Sequence, residues 1–139
     1  MRQSLHTLSI QTRGRGLVEV TREIAAWVGT QDVDIGLLTV FCRHTSASLL
    51  IQENADPDVR GDIEAYFERL APEERGRYAH EDEGPDDMPA HLRAALTTVQ
   101  LTIPVSSSRM TLGTWQGVYL FEHRRAPHRR EIVLHLIGD

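Results

Sequence analysis

Cysteine is nearly absent: Cys42 is the only one in 139 residues. No disulfide can therefore close within the chain, which fits a reducing compartment and a cytoplasmic protein. Long apolar runs are missing too, for no segment approaches the roughly 20 consecutive apolar residues of a membrane-spanning helix. The opening stretch, MRQSLHTLSIQ, alternates polar and apolar positions where a secretory leader would be continuously apolar. Basic charge is not in surplus. With 15 Lys and Arg against 20 Asp and Glu, the formal net charge is -5, which argues against a sequence-independent grip on nucleic acid. The chain has no Walker loop, GxGxxG, GxSxG, CxxC or HExxH motif. Nucleotide-dependent phosphoryl transfer, dinucleotide redox and serine-hydrolase chemistry thus lose their usual sequence support.

What is present suits one domain: 40% hydrophobic and 25% charged residues supply both a core and a solvated surface. Residues 5–10 alternate with a period near two and predict an opening strand, followed by a turn at Gly14 and Gly16. From Thr21, read as an N-cap, Ile24, Trp27 and Val28 fall at helical spacing up to Gly29. The β-branched run 35–41 predicts a buried strand leading into Arg43, His44 and Thr45. Asp56 can cap a helix with Pro57 in its first position, and Val59, Ile63, Phe67 and Leu70 mark its apolar face until Pro72. Residues 73–87 are acidic and aperiodic, with Gly76, Gly84 and Pro85, and predict a long loop of the kind that is functional or disordered. Pro89 can open a further helix through Leu96; strands are predicted at 99–105, 117–123 and 132–137, with a polar turn at 106–108. Strands interrupted by helices in this order indicate an α+β domain.

Of the seven histidines, His6, His128 and His135 have no acidic neighbours of note. His44 stands where a strand gives way to Thr45, Ser46 and Ser48; Cys42, His44 and Ser46 share a face if that strand persists. Two readings stay open there: a Cys–His nucleophile, or a buried thiol beside a histidine bonded to backbone. The densest ligand-bearing stretch is YAHEDEGPDDMPAH, residues 78–91, where His80 and His91 flank four carboxylates besides Glu81 and a Gly84–Pro85 turn. Three imidazoles, His44, His80 and His91, plus a water would make a zinc-like site, with Asp87 or Glu53 orienting a ligand or moving a proton. The alternative is a solvated acidic loop. In LGTWQ, Trp115 is either packed or stacked on a flat heterocycle whose edge Gln116 reads. Arg124, Arg125, Arg129 and Arg130 crowd around Pro127, either as a solvated loop or as a contact to phosphate or carboxylate.

Four segments in order, HTSASLLIQENADPDV (44–59), GPDDMPAH within 78–91, LTIPV (101–105) and LGTWQGVYLFEHR (112–124), give a chain that resembles the YjbQ-like family, also called the secondary thiamine-phosphate synthase family. The resemblance covers nearly the whole chain. It implies a single α+β domain with two packed, mostly antiparallel sheets and flanking helices, assembling as a homotrimer. It also implies a transferase activity that joins hydroxymethylpyrimidine diphosphate to thiazole phosphate, generally regarded as secondary. Carried over, His44, His80 and His91 are the matched histidines, and Glu53, Asn54, Asp86 and Asp87 the matched polar partners. Arg43, Arg109 and Arg124 are available to stabilise departing diphosphate, and Trp115 to stack on the pyrimidine. A divalent metal is the expected cofactor: three histidines suit zinc, whereas diphosphate chemistry usually employs magnesium. The substrate class expected is a small phosphorylated heterocycle. The alternative function is a metal-binding protein or metal-dependent hydrolase acting on a small metabolite, and a purely structural trimer is a third.

Overall fold

Along the last strand, β8 (Arg129–Gly138), burial alternates residue by residue: Arg130, Ile132, Leu134 and Leu136 point inward while Glu131, Val133, His135 and Ile137 face outward. The computed structural model, which describes residues 1–139, places this strand inside a five-stranded sheet. Its other members are β1 (Arg2–Gln11), β3 (Ile35–Cys42), β5 (Gln100–Ser106) and β6 (Arg109–Met110), in the order β1-β8-β3-β5-β6, every pair antiparallel. A second sheet has the order β2-β7-β4, from β2 (Gly16–Glu19), β4 (Ala47–Glu53) and β7 (Gln116–Glu122), again antiparallel. Three helices complete the chain: α1 (Thr21–Gly29), α2 (Pro57–Leu70) and α3 (Asp87–Leu96). None is long and apolar enough to cross a membrane.

The inner faces of both sheets share one apolar cluster. Leu38, Val40, Ile103, Ile132, Leu134 and Leu136 come from the larger sheet, Ala47, Leu49, Val118 and Leu120 from the smaller, and Ile24 and Val28 from α1. β7 is buried on both sides. Val118 and Leu120 enter the shared core, whereas Tyr119 and Phe121 pack with Leu17 beneath Ile63 and Phe67 of α2. Phe67 meets Phe121 edge to face at 5.4 Å, a favoured aromatic geometry. β7 therefore runs through the middle of the molecule, and whatever follows its C-terminal end starts from a fixed point.

The α+β class and the two packed antiparallel sheets agree with the expectation, and α2 begins as anticipated: Asp56 Oδ1 accepts from Asp58 N at 2.9 Å with Pro57 at the first turn. Three local details differ. Thr21 does not cap α1; its hydroxyl bridges Glu19 and the N–H of Val118, tying the helix start to β7. α3 opens at Asp87 instead of Pro89, since a proline is tolerated anywhere in the first turn, where its missing N–H has no helical partner. The polar turn at 106–108 is where expected, but it closes a hairpin onto a short strand that was not anticipated, β6, with Ser107 and Ser108 at φ of 52° and 59°, the left-handed torsions that two-residue hairpins demand.

Candidate functional site

Gly84 (φ 100°) and Pro85 turn the acidic loop so that Asp86 and Asp87 arrive at the N-terminus of α3. That end of a helix favours a carboxylate, because its unpaired N–H groups and the helix dipole are positive there. Asp87 is only 2% exposed. His91 follows one turn later on the same face of α3, and His80 comes from the loop. The Nε2 atoms of both histidines converge on a single carboxylate oxygen, Asp87 Oδ2, at 2.7 Å from His80 and 3.1 Å from His91. Glu83 Oε2 lies 3.5 Å from His80 Nε2. One donor atom from each of His80, Glu83, Asp87 and His91 can thus be chosen with all four within 4.8 Å of one another.

The other nitrogen of His91, Nδ1, faces the carbonyl oxygen of Thr45 at 3.1 Å. A carbonyl only accepts, so Nδ1 carries the hydrogen and, in a neutral ring, Nε2 presents its lone pair to the Asp87 carboxylate. Two lone pairs facing each other need a proton or a metal cation between them. Hydrogen bonding to Asp87 raises the His80 imidazole above its ordinary range, assisted by the charges of Asp87 and Glu83. Burial alone would raise the Asp87 carboxyl, but hydrogen bonding from His80 and the charges of His91 and Arg124 outweigh it and hold it low.

Arg124, just past β7, fixes this carboxylate from behind. Its Nη1 donates to Asp87 Oδ1 at 2.8 Å, its Nε to Asp86 Oδ2 at 3.0 Å, and its Nη2 to the Glu83 carbonyl at 3.0 Å. Asp86 also accepts from the Arg125 N–H at 2.9 Å. Of the two readings of the basic cluster, the carboxylate contact is the one found for Arg124, so this guanidinium is committed to the protein's own acids. Arg130 behaves likewise: it is buried against Glu122, donating through Nε at 2.9 Å and Nη2 at 2.5 Å.

His44 does not join the cluster. Its Nε2 accepts from the Glu131 N–H at 2.8 Å, and burial, reinforced by the Arg130 charge, holds its imidazole below the ordinary range. Of the three histidines expected as ligands, His80 and His91 come together, with Glu83 and Asp87 beside them, and His44 stands apart within the chain. Long-range pairing of His44 with β8 is invisible in sequence spacing. Glu83 had a weak signal, as one acid in a run. Cys42 points into the core, its thiol pushed up to about 11 by burial, which removes the nucleophile reading. His44 instead borders an open groove with Phe41, Arg43, Thr45, Ser46 and Arg130.

The remaining expected residues lie at the far end of the smaller sheet. β4 runs from Ala47 to Glu53, and at about 3.3 Å per residue this separates Glu53 from the Thr45 end by roughly 20 Å. There Glu53 pairs in register with Gln116, Asn54 N donates to the Trp115 carbonyl, and Asn54 Nδ2 donates to Glu19. Gln116 Oε1 accepts from the Gly113 N–H, closing the turn, while Trp115 is 63% exposed. Arg109 is exposed on β6 at the edge of the larger sheet. Within one chain, then, Asp86, Asp87, His80 and His91 come together, and Glu53, Asn54, Trp115 and Gln116 form a separate group. Beside His80 a pocket of about 270 Å³ opens between Glu74, Tyr78, Glu81, Pro85 and Met88.

A family model described as UPF0047 protein YjbQ-like matches residues 6–139. A UPF0047 protein of Synechocystis is 52% identical over 138 residues, covering 99% of this chain and 94% of its own. The YjbQ protein of Escherichia coli O157:H7 is 42% identical, with 96% of each chain covered. Among solved structures, a YjbQ/UPF0047 protein of Clostridium acetobutylicum superposes with a TM-score of 0.87 at 33% identity, covering 95% of this chain and 99% of that one. A conserved hypothetical protein of Thermus thermophilus gives 0.84 at 35% identity, with the same coverage. These names specify a family and no reaction.

Proposed function

The chain belongs to the YjbQ-like UPF0047 family, and on that footing we propose that His80, Glu83, Asp87 and His91 form a divalent-cation centre of a metal-dependent hydrolase acting on a small phosphorylated metabolite. One observation carries the reading: His91 is tied through Nδ1 to the Thr45 carbonyl, which leaves its Nε2 lone pair aimed at the same carboxylate oxygen that His80 meets. A ligating histidine is commonly oriented in this way, by a backbone acceptor on its other nitrogen. Two imidazoles with two carboxylates suit zinc, manganese or iron better than magnesium, which prefers oxygen ligands and water. When bound, such a cation supplies Lewis acidity toward a phosphoryl oxygen. The chain's own residues do the positioning. Arg124 and the helix terminus hold Asp87, Asp87 holds both imidazoles, and the pocket beside His80 offers Tyr78 and Met88 to a ring.

Elemental analysis of protein purified without a metal-affinity tag tests the centre. The expected result is close to one equivalent of a transition metal per chain, lost in His91→Ala and Asp87→Ala; less than about one-tenth equivalent, with no uptake on titration with zinc or manganese, overturns it.

A second reading is the thiamine-phosphate synthase-type transfer, and it is favoured by the open groove on the other side of Thr45, where Arg43 beside His44 and Ser46 offers a cation to a departing diphosphate. An assay with both phosphorylated precursors separates the two, since only the transferase releases diphosphate in proportion to joined product. We also propose the homotrimer. Ile35, Leu37, Phe41 and Leu5 leave the outer face of the larger sheet apolar and exposed, and sedimentation equilibrium at three times the chain mass is the expected result.

A further inference from the structure

Two residues beyond His91 on α3 stands Arg93, turned about 200° around the helix axis and so on the side away from the histidine cluster. It is 4% exposed. The one hydrogen bond of its side chain runs from Nη2 to the Ala71 carbonyl at 2.9 Å, and Nε is buried without a partner. No ion pair reaches it, because the acids nearby are engaged elsewhere: Glu68 and Glu73 by Arg15, Glu73 also by Arg125, and Glu64 by the Leu17 N–H. Its neighbour His123 offers no counter-charge either. Burial, with the charges of Arg93 and Arg130, pushes that imidazole down to about 3, and its Nδ1 too is buried and unpartnered.

A guanidinium does not shed its proton, so a buried one without a counter-ion is among the least tolerated groups in a fold. This one lines a pocket of about 230 Å³ with Arg15, Gly16, Glu64, Glu68 and Phe121. We propose that this pocket is a second ligand site, where Arg93 grips the carboxylate of a small organic monoanion through its free N–H groups and Phe121 supplies an apolar wall. Planar carboxylate and planar guanidinium match in bidentate geometry. Glu64 and Glu68 on the rim repel a dianion, which selects one negative charge over two.

Calorimetric titration of the whole protein with sodium acetate, against sodium chloride and sodium phosphate at matched ionic strength, tests this together with ¹H–¹⁵N spectra of the arginine Nε groups. Acetate is expected to bind saturably and to move the Arg93 Nε–H signal. Arg93→Met should weaken acetate at least about tenfold, a loss of about 1.4 kcal/mol, and His91→Ala should leave it unchanged. An acetate response no different from chloride, tighter binding of phosphate than acetate, or undiminished acetate binding in Arg93→Met overturns the site. The wild-type comparison decides the matter even if Arg93→Met does not fold.

Discussion

Replacing Arg130 with leucine should be among the most damaging single changes in this protein. Glu122 has no exposed surface, and its carboxylate accepts from Arg130 twice, from the Thr12 hydroxyl at 2.7 Å, and from the His123 and Arg124 N–H groups. Taking away the guanidinium leaves a buried charge facing neutral donors only, which costs about 3–5 kcal/mol. For a chain of this size that lowers Tm by about 10–20 °C. The pH dependence carries the sign. Burial would raise the Glu122 carboxyl, but hydrogen bonds from Arg130 and Thr12 outweigh it and depress it below 4.5. Its contribution is therefore present in full above the unfolded value and lost as pH falls through the folded one. In Arg130→Leu the hydrogen bonds from Thr12 and the two N–H groups remain but the guanidinium no longer offsets burial, so that variant gains less stability than the wild type as pH rises. Urea unfolding from pH 4 to pH 7 should show the gap between the two proteins widening toward neutrality. A gap of the same size at both ends, or a loss below about 1 kcal/mol at pH 7, refutes the reasoning.

The hairpin between β5 and β6 holds Ser107 and Ser108 at left-handed torsions, so Ser107→Asn with Ser108→Gly should raise stability by about 0.5–1 kcal/mol, read as a higher urea midpoint at unchanged slope. A lower midpoint counts against the strain. Cys42, buried with its thiol near 11, should resist iodoacetamide at pH 8 in the native protein and react promptly in urea. Native alkylation at the rate of a free thiol contradicts the burial described.

Much of the fold is legible in the sequence because its signals are local. Asp56 followed by Pro57 announces α2, and the apolar run 132–137 announces the closing strand. The site is legible only in part. His80, Asp87 and His91 lie within twelve residues of chain, so a loop and one helical turn suffice to join them. His44 sits close in chain to Thr45, whose carbonyl holds His91, yet its ring is claimed by the Glu131 N–H, a partner 87 positions away. Glu53 and Trp115 part from the histidines because a strand is a ruler: neighbours along the motif stand at opposite ends of β4 and its partner. For Arg124 the sequence leaves a solvated loop and a contact to phosphate or carboxylate both open, and only the fold shows the guanidinium spent on Asp86 and Asp87.

The double burial of β7 also governs how the site breathes. Amides of a strand enclosed on both faces exchange with solvent only through opening of the whole domain, whereas an exposed loop such as the one bearing His80 and Glu83 exchanges through small local fluctuations. Arg124, seated at the end of β7, is thus the slow anchor, and the loop it grips through the Glu83 carbonyl is the fast partner. Deuterium uptake should divide the cluster along that seam, and any ligand that closes the site should slow the loop while leaving β7 as it was.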